Sequence, residues 1–188
     1  MNRYASLAIY GILIIITGIV VLTVAYNPTY SIQYIVGIGM LLSATFAFVT
    51  AYQSRHIRVP LNYHALHAVG MVVYGFAILF FANNIESFFN ITTFFLLYYG
   101  ITEVIFCLQI LMLKDNVSLQ TDIIRLILGV FVALGAVFII STTYFDYSKA
   151  LTVSGIVFII SGINLILFKT VVKKLDKSKI APELSQGV

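Results

Sequence analysis

The stretch GILIIITGIVVLTVAYNPTYSIQYIVGIGMLLSATFAFV, residues 11–49, holds two apolar runs joined by one short turn. The turn at 27–31 contains asparagine and proline, which break a helix, and it ends on Ser31, a residue type that caps the start of a helix. Each run approaches the length of about 20 residues that crosses a bilayer. The stretch therefore predicts two membrane helices that form a hairpin.

The same hairpin pattern recurs twice further along the chain. Gly18, Gly75 and Gly135 occupy equivalent places in the first helix of each pair and lie 57 and 60 residues apart. The matching helix-start serines are Ser31, Ser87 and Ser148, and the matching small residues of the second helices are Ala44, Gly100 and Gly162. Repeated caps and repeated small residues predict three copies of one hairpin, whose helices pack closely at the glycines.

The composition of the chain places these hairpins in a membrane. The chain has 188 residues, of which 61% are hydrophobic and 10% charged, and its mean hydropathy is +1.03. One soluble core does not bury that much apolar surface. We therefore predict an all-α integral membrane protein with six transmembrane helices in one domain, 1–170, built from hairpin repeats at about 4–53, 62–113 and 121–170.

The basic residues predict the orientation. Of the 11 Lys and Arg residues, all except Lys149 fall at the termini or in the second and fourth connections, which a six-span chain places on one side. Cytoplasmic loops retain Lys and Arg. We therefore expect a multi-pass protein of the cytoplasmic membrane with both termini in the cytoplasm.

The last segment, 171–188, is predicted to be a disordered, basic cytoplasmic tail, because it mixes charged residues with few apolar ones. Positive charge next to the membrane favours anionic lipids of the inner leaflet. The lysines expected to make that contact are Lys173, Lys174, Lys177 and Lys179.

Several function classes are excluded by what the sequence lacks. It contains no GxSxG, HExxH or Walker motif, so no catalytic residue is expected and the protein is predicted not to be an enzyme. The lone Cys107 excludes a CxxC metal or redox site, and no cofactor is expected. The net charge of +4 reflects topology, so nucleic acid is not an expected partner.

Three features of the hairpins carry a resemblance to a known family. They are the run from Gly11 to Leu22, the turn from Asn27 to Ser31, and Ala44. The equivalent residues of the second hairpin are Gly75, Ser87 and Gly100, and those of the third are Gly135, Ser148 and Gly162. In these features the chain resembles the HdeD family of bacterial and archaeal acid-resistance membrane proteins. The resemblance implies a six-span inner-membrane protein of a bacterium or archaeon, associated with stress or low pH and carrying no catalytic residue.

Glu103 is the most informative polar residue inside the predicted helices. It lies about ten residues, or about 15 Å, from the cytoplasmic end of the fourth helix. An ionised, unpaired carboxylate is costly there, so Glu103 is expected to be protonated unless Arg125 reaches it. Two roles stay open: a group that titrates a proton, or a neutral carboxyl that joins helices by hydrogen bonds.

Two further polar residues are candidates for the same site. Asn164 lies at the same depth as Glu103 by the repeat register and is a candidate hydrogen-bond partner. Arg125, one turn into the fifth helix, either extends toward the inner interface or reaches Glu103, and the sequence favours the interface.

His64 and His67 are spaced to share one helix face, and we expect that face near the cytoplasmic surface. A tetrahedral zinc site needs two further ligands, which no nearby Cys or Asp supplies, so no metal is expected. A pH-sensing role needs only titration and is the better functional hypothesis for the pair.

These observations favour a non-enzymatic integral membrane protein with a stress or acid-resistance role. One alternative is an accessory subunit of a larger membrane complex, with lipids, other subunits or a second copy as partners. Another is a small transporter or proton pathway centred on Glu103. A cavity reaching Glu103 would favour transport, whereas a dry bundle with an apolar face covered by another chain would favour the subunit.

Overall fold

The computed structural model describes the backbone of residues 3–26, 32–55, 58–112, 119–143 and 146–185. Side chains are described for 4–25, 32–55, 60–112, 119–142 and 146–173. The helices are α1 Arg3–Tyr26, α2 Ile32–Gln53, α3 Arg58–Phe81, α4 Ile85–Met112, α5 Leu119–Thr143 and α6 Tyr147–Ser185.

All six helices are long and apolar enough to cross a membrane. A helix satisfies its backbone hydrogen bonds internally, which is required in lipid, and no strand occurs in the described ranges. The prediction of an all-α membrane protein with six spans is therefore confirmed.

The helices form a closed ring. Each packs against its neighbours in chain order, and α6 returns to pack against α1. Because consecutive helices run in opposite directions, α1 begins at the same end of the ring as the α2–α3 and α4–α5 connections. We call this the terminal end, and we call the opposite end, which holds the turns inside the three hairpins, the turn end.

Glycines bring neighbouring hairpins together. A Cβ atom on Gly18 of α1 would lie 2.7 Å from the carbonyl oxygen of Gly155 on α6. A Cβ on Gly75 of α3 would lie 3.1 Å from the carbonyl oxygen of Gly37 on α2. A side chain at either position would force its neighbours to shift, so these glycines allow the close approach of the helices.

The other three glycines singled out from the sequence also face a neighbouring helix. A Cβ on Gly162 would lie 2.6 Å from the carbonyl oxygen of Gly11, and one on Gly100 would lie 2.7 Å from the backbone nitrogen of Ala133. Gly135 faces a side chain, with the Cγ2 atom of Val157 at 2.5 Å. Gly135 thus packs within its own hairpin, whereas Gly162 and Gly100 pack between hairpins.

The last helix extends beyond the membrane span. The span ends at Lys173, but the helix continues to Ser185, into the segment 171–188 for which the sequence predicts disorder. Lysine, leucine and glutamate are good helix formers, which allows the helix to continue outside the ring. Residues 186–188 lie outside the described range.

One lysine of the predicted lipid-binding set has a described side chain. Lys173 places its Nζ atom 5.5 Å from the centre of the Tyr4 ring, so it lies against α1 at the terminal end. The side chains of Lys174, Lys177 and Lys179 lie outside the described residues.

Candidate functional site

A buried ion pair joins α4 and α5. The Nη2 atom of Arg125 donates to Oε2 of Glu103 at 2.9 Å, and both side chains have an exposed fraction of 0%. The expectation that Arg125 extends to the interface is wrong. The close approach of the two helices explains why, since a Cβ on Gly129 would lie 2.9 Å from Cβ of Glu103. With no side chain at Gly129, the guanidinium one turn away reaches the carboxylate.

The second carboxylate oxygen of Glu103 faces α3 and its own helix. Oε1 accepts a hydrogen bond from the hydroxyl of Tyr63 and another, at 3.3 Å, from the hydroxyl of Tyr99. The Nε2 atom of His67 lies 3.9 Å from the same oxygen. Glu103 therefore contacts side chains from α3, α4 and α5.

Arg125 makes further contacts beyond Glu103. Its Nη1 atom lies 3.5 Å from Oδ1 of Asp122, and its guanidinium carbon lies 4.2 Å from the centre of the Phe168 ring on α6. A guanidinium is attracted to an aromatic face, most strongly where water is excluded. We call Tyr63, His67, Glu103, Asp122 and Arg125 the buried charge cluster.

Asn164 joins the cluster through the backbone of α5. It is fully buried, and its Nδ2 atom donates to the carbonyl oxygen of Arg125 at 3.3 Å. The sequence places Asn164 correctly at the depth of the site, but the bond runs to the residue that pairs with Glu103 rather than to Glu103 itself.

His64 and His67 lie inside the ring, not at the membrane surface as the sequence suggests. Their exposed fractions are 0% and 1%. Their shared helix face points inward, where Tyr10 on α1 lies against His64 and Glu103 on α4 lies opposite His67. His64 Nδ1 lies 2.9 Å from the hydroxyl of Tyr10.

His67 has a fixed ring orientation. Its Nδ1 atom lies 2.8 Å from the carbonyl oxygen of Tyr63. A carbonyl oxygen only accepts, so Nδ1 carries the hydrogen and donates it. In the neutral ring Nε2 then carries a lone pair, and this atom faces the carboxylate of Glu103 at 3.9 Å. A proton added at Nε2 turns two facing acceptors into an ion pair.

Buried polar groups continue from the cluster toward the terminal end. Ser6 Oγ donates to Oε1 of Gln53 at 3.0 Å, and Thr50 Oγ1 donates to Ser6 Oγ at 2.9 Å. Ser6 lies one turn before Tyr10 on α1 and so shares its face. This end of the ring interior is polar.

The interior of the ring becomes less polar toward the turn end. The hydroxyl of Tyr74 bonds Thr92 Oγ1 at 2.9 Å, and beyond this pair the buried side chains are largely apolar. They include Val21, Val24, Ile32, Val36, Ile78, Phe88 and Phe89. An apolar layer therefore separates the buried charge cluster from the turn end.

Three cavities lined by described residues do not reach Glu103. A cavity of 480 Å³ opens at the turn end, between residues of α1, α2, α4 and α6, and cavities of 420 Å³ and 550 Å³ lie between α3 and α4. Glu103 lines none of the three. Among the described residues, no group of three His, Cys, Asp or Glu side chains is arranged to hold a metal ion.

Some residues of the site were missed in the sequence. Asp122 is three residues before Arg125, a spacing that puts both on one helix face, and Tyr99 has the same relation to Glu103 at four residues. Both spacings can be read from the sequence, so Asp122 and Tyr99 could have been predicted as members of the site. The involvement of Tyr63 and Gly129 depends on how the helices pack.

No family model, curated protein or solved structure matches this chain.

Proposed function

We propose that this is a non-enzymatic integral membrane protein that responds to acid by taking up a proton at Nε2 of His67. The observation that carries the proposal is the fixed tautomer of His67. With Nδ1 donating to a backbone carbonyl, the one free ring nitrogen lies 3.9 Å from a carboxylate oxygen. Histidine titrates in the pH range where acid stress begins.

Charge in the cluster supports uptake of a proton. Of the described side chains that meet there, Arg125 is the permanent cation and Glu103 and Asp122 are the two acids. A proton on His67 places a second cation beside the carboxyl group of Glu103, and a charge buried inside a membrane needs such an oppositely charged partner. Other titratable groups among the described residues also face the site: Tyr10 on α1, Tyr63 and His64 on α3, Tyr99 and Cys107 on α4, and Asp122 on α5. Helix α6 contributes the neutral side chain of Asn164.

Proton uptake has a structural consequence in this proposal. His67 lies on α3 and Glu103 on α4, and these two helices contact each other less than any other neighbours in the ring. A charge on His67 adds an attraction across this loosest contact. Acid thereby draws α3 and α4 together.

A response to acid is better supported than transport. The polar side chains Ser6, Thr50 and Gln53 connect the terminal end with the region of Tyr10. The buried side chains nearest the turn end are largely apolar, and a proton needs polar groups or water along its whole route. The proton therefore enters and leaves at the terminal end.

The compartment and the stress role belong to the same proposal. The excess of Lys and Arg at the terminal end supports a cytoplasmic position for that end in the inner membrane of a bacterium or archaeon. The sequence resemblance to the HdeD family supports a link to acid resistance. Both point to a sensor of cytoplasmic pH.

Thermal unfolding of the purified protein at a series of pH values tests the proposal. The melting temperature of the wild type should change as the pH is lowered, and His67→Asn should lose that part of the pH dependence. Glu86→Gln is the control, because Glu86 is an exposed acid at the turn end. Identical pH profiles for His67→Asn and the wild type would contradict the proposal.

A further inference from the structure

The lipid-facing side of the α3–α4 hairpin holds a groove that is separate from the buried charge cluster. Two cavities between these helices form it: a first cavity of 550 Å³ toward the terminal end and a second cavity of 420 Å³ toward the turn end. Val69 lines both, so the groove runs along most of the hairpin.

Tyr98 marks the middle of the groove. Its ring lies against Gly70, where a Cβ would be 2.5 Å from Cε1 of Tyr98. The hydroxyl donates to the carbonyl oxygen of Leu66 at 2.9 Å. This bond ties α4 to α3 across the groove.

The groove is polar at one end only. Asn62 and Gln109, both exposed, line the first cavity, whereas the second cavity is lined mainly by apolar residues such as Phe94. Gln109 is three residues from the end of α4 and Asn62 four residues from the start of α3, or about 5 and 6 Å along the axis. At that depth a bilayer changes from hydrocarbon to ester and headgroup.

Exposed amides at this depth need partners. An amide that faces hydrocarbon without a hydrogen bond costs free energy. Two amides on facing helices, at the mouth of an apolar groove, match a molecule with oxygen atoms at one end and a hydrocarbon chain at the other.

We propose that the groove binds a phospholipid of the terminal-end leaflet. Its ester and phosphate oxygens accept hydrogen bonds from the amides of Asn62 and Gln109, and one acyl chain follows the groove past Val69 toward Tyr98. Binding of a lipid at this groove does not require proton uptake at His67.

The lining of the groove favours an acyl chain over a helix of another protein. The amides of Asn62 and Gln109 lie at one end of the groove, and the second cavity is lined mainly by apolar side chains. This arrangement fits a molecule that is polar at one end and apolar along the rest of its length.

Photocrosslinking in vesicles tests the proposal. The full-length protein is placed in vesicles of phosphatidylglycerol and phosphatidylethanolamine that contain a phospholipid with a photoreactive acyl chain, and labelled peptides are mapped. We expect labelling to concentrate on α3 and α4. Val69→Trp, which fills the part shared by both cavities, should reduce it at least fivefold.

Matched variants serve as controls. Val130→Trp makes the same change at an exposed position of α5, and Gln120→Leu removes an exposed amide near the same end of the ring. Both should leave labelling of α3 and α4 unchanged, whereas Asn62→Leu combined with Gln109→Leu should reduce it. If Val69→Trp does not fold, the variant with both Asn62→Leu and Gln109→Leu still tests whether the groove binds the lipid.

Three results would overturn the proposal. The first is labelling spread evenly over all six helices. The second is labelling that neither Val69→Trp nor the double amide variant reduces. The third is efficient disulfide formation between two copies carrying Val69→Cys in vesicles, which would show that a second copy of the chain covers the groove.

Discussion

Gly129 on α5 faces Glu103 on α4 so closely that a Cβ on the glycine would lie 2.9 Å from Cβ of the glutamate. One turn before Gly129, Arg125 meets the same glutamate at 2.9 Å. Close backbone packing and a buried ion pair thus occur at one point of the ring. The packing brings the charges within reach, and the pair in turn holds the two helices together.

Gly129→Ala should therefore disturb the ion pair without removing either charge. The added methyl group meets Glu103 at a distance that real Cβ atoms essentially never show, so α4 and α5 must shift apart. We expect a lower melting temperature in detergent. Val130→Leu, at an exposed position on the same helix, is the control and should have little effect. A melting temperature for Gly129→Ala at or above that of the wild type would show that the helices accommodate the methyl group.

Removing only one partner of the buried ion pair should destabilise the protein strongly. Arg125→Gln leaves Glu103 uncompensated in the ring interior, and breaking a buried pair in this way costs about 3–5 kcal/mol. The double variant Arg125→Gln, Glu103→Gln should be more stable than Arg125→Gln alone, because no unpaired carboxylate of Glu103 remains. Denaturant unfolding of the two single variants and the double variant measures the coupling. Strict additivity of the single effects would indicate that the two residues do not stabilise each other.

Asp146 makes a pH-dependent contribution at the turn end. Its Oδ1 atom accepts hydrogen bonds from the backbone N–H groups of Ser148 and Lys149 at 3.0 and 3.2 Å, at the start of α6. The backbone hydrogen bond from Lys149 lowers the pKa of Asp146 below its ordinary value of 3.8. A lowered folded-state pKa means that the stabilisation is present above the unfolded pKa and is lost as the pH falls through the folded value.

Asp146→Ala should consequently lower the melting temperature at pH 7, and the difference from the wild type should shrink below about pH 4. Asp146→Asn keeps an oxygen that accepts the same bonds and should lose less. Thermal melts of the three proteins across the acid range provide the comparison. A difference between Asp146→Ala and the wild type that is constant with pH would exclude a contribution from the charge.

The orientation of the ring is open to direct chemical labelling. If the terminal end is cytoplasmic, a cysteine at Glu86 on the turn end should react with an impermeant maleimide added to intact cells. A cysteine at Gln120 near the terminal end should react only after the cells are opened. The native Cys107 is buried, so the wild type supplies the background. Labelling of the Gln120 variant alone from outside would reverse the topology.

The sequence predicts the helices and the positions where they pack, because both depend on patterns that are local or repeated. A run of apolar residues marks a span, and the recurrence of Gly18, Gly75 and Gly135 marks equivalent places in three hairpins. All three glycines face a neighbouring helix in the structure. The register alone does not tell which helix each one faces, and Gly135 packs within its hairpin while Gly18 packs between hairpins.

The polar site is predicted less completely. Glu103, Asn164 and Arg125 stand out because polar residues are rare in these helices. Their pairing depends on the rotation of α4, α5 and α6 about their axes, which a nearly uniform apolar sequence does not reveal. The histidines show the same limit. Polar residues lower the hydropathy of α3 near its start, which suggests a surface position, whereas His64 and His67 face partners inside the ring.

Protonation of His67 is measured most directly by nitrogen NMR of the protein labelled with ¹⁵N-histidine in a membrane mimetic. The His67 signals are assigned with His67→Asn. We predict that Nδ1 stays protonated throughout, that Nε2 becomes protonated as the pH is lowered, and that Glu103→Gln moves this transition to lower pH. An Nε2 signal of His67 that stays unprotonated over the whole range in which the protein is folded would contradict proton uptake at this site.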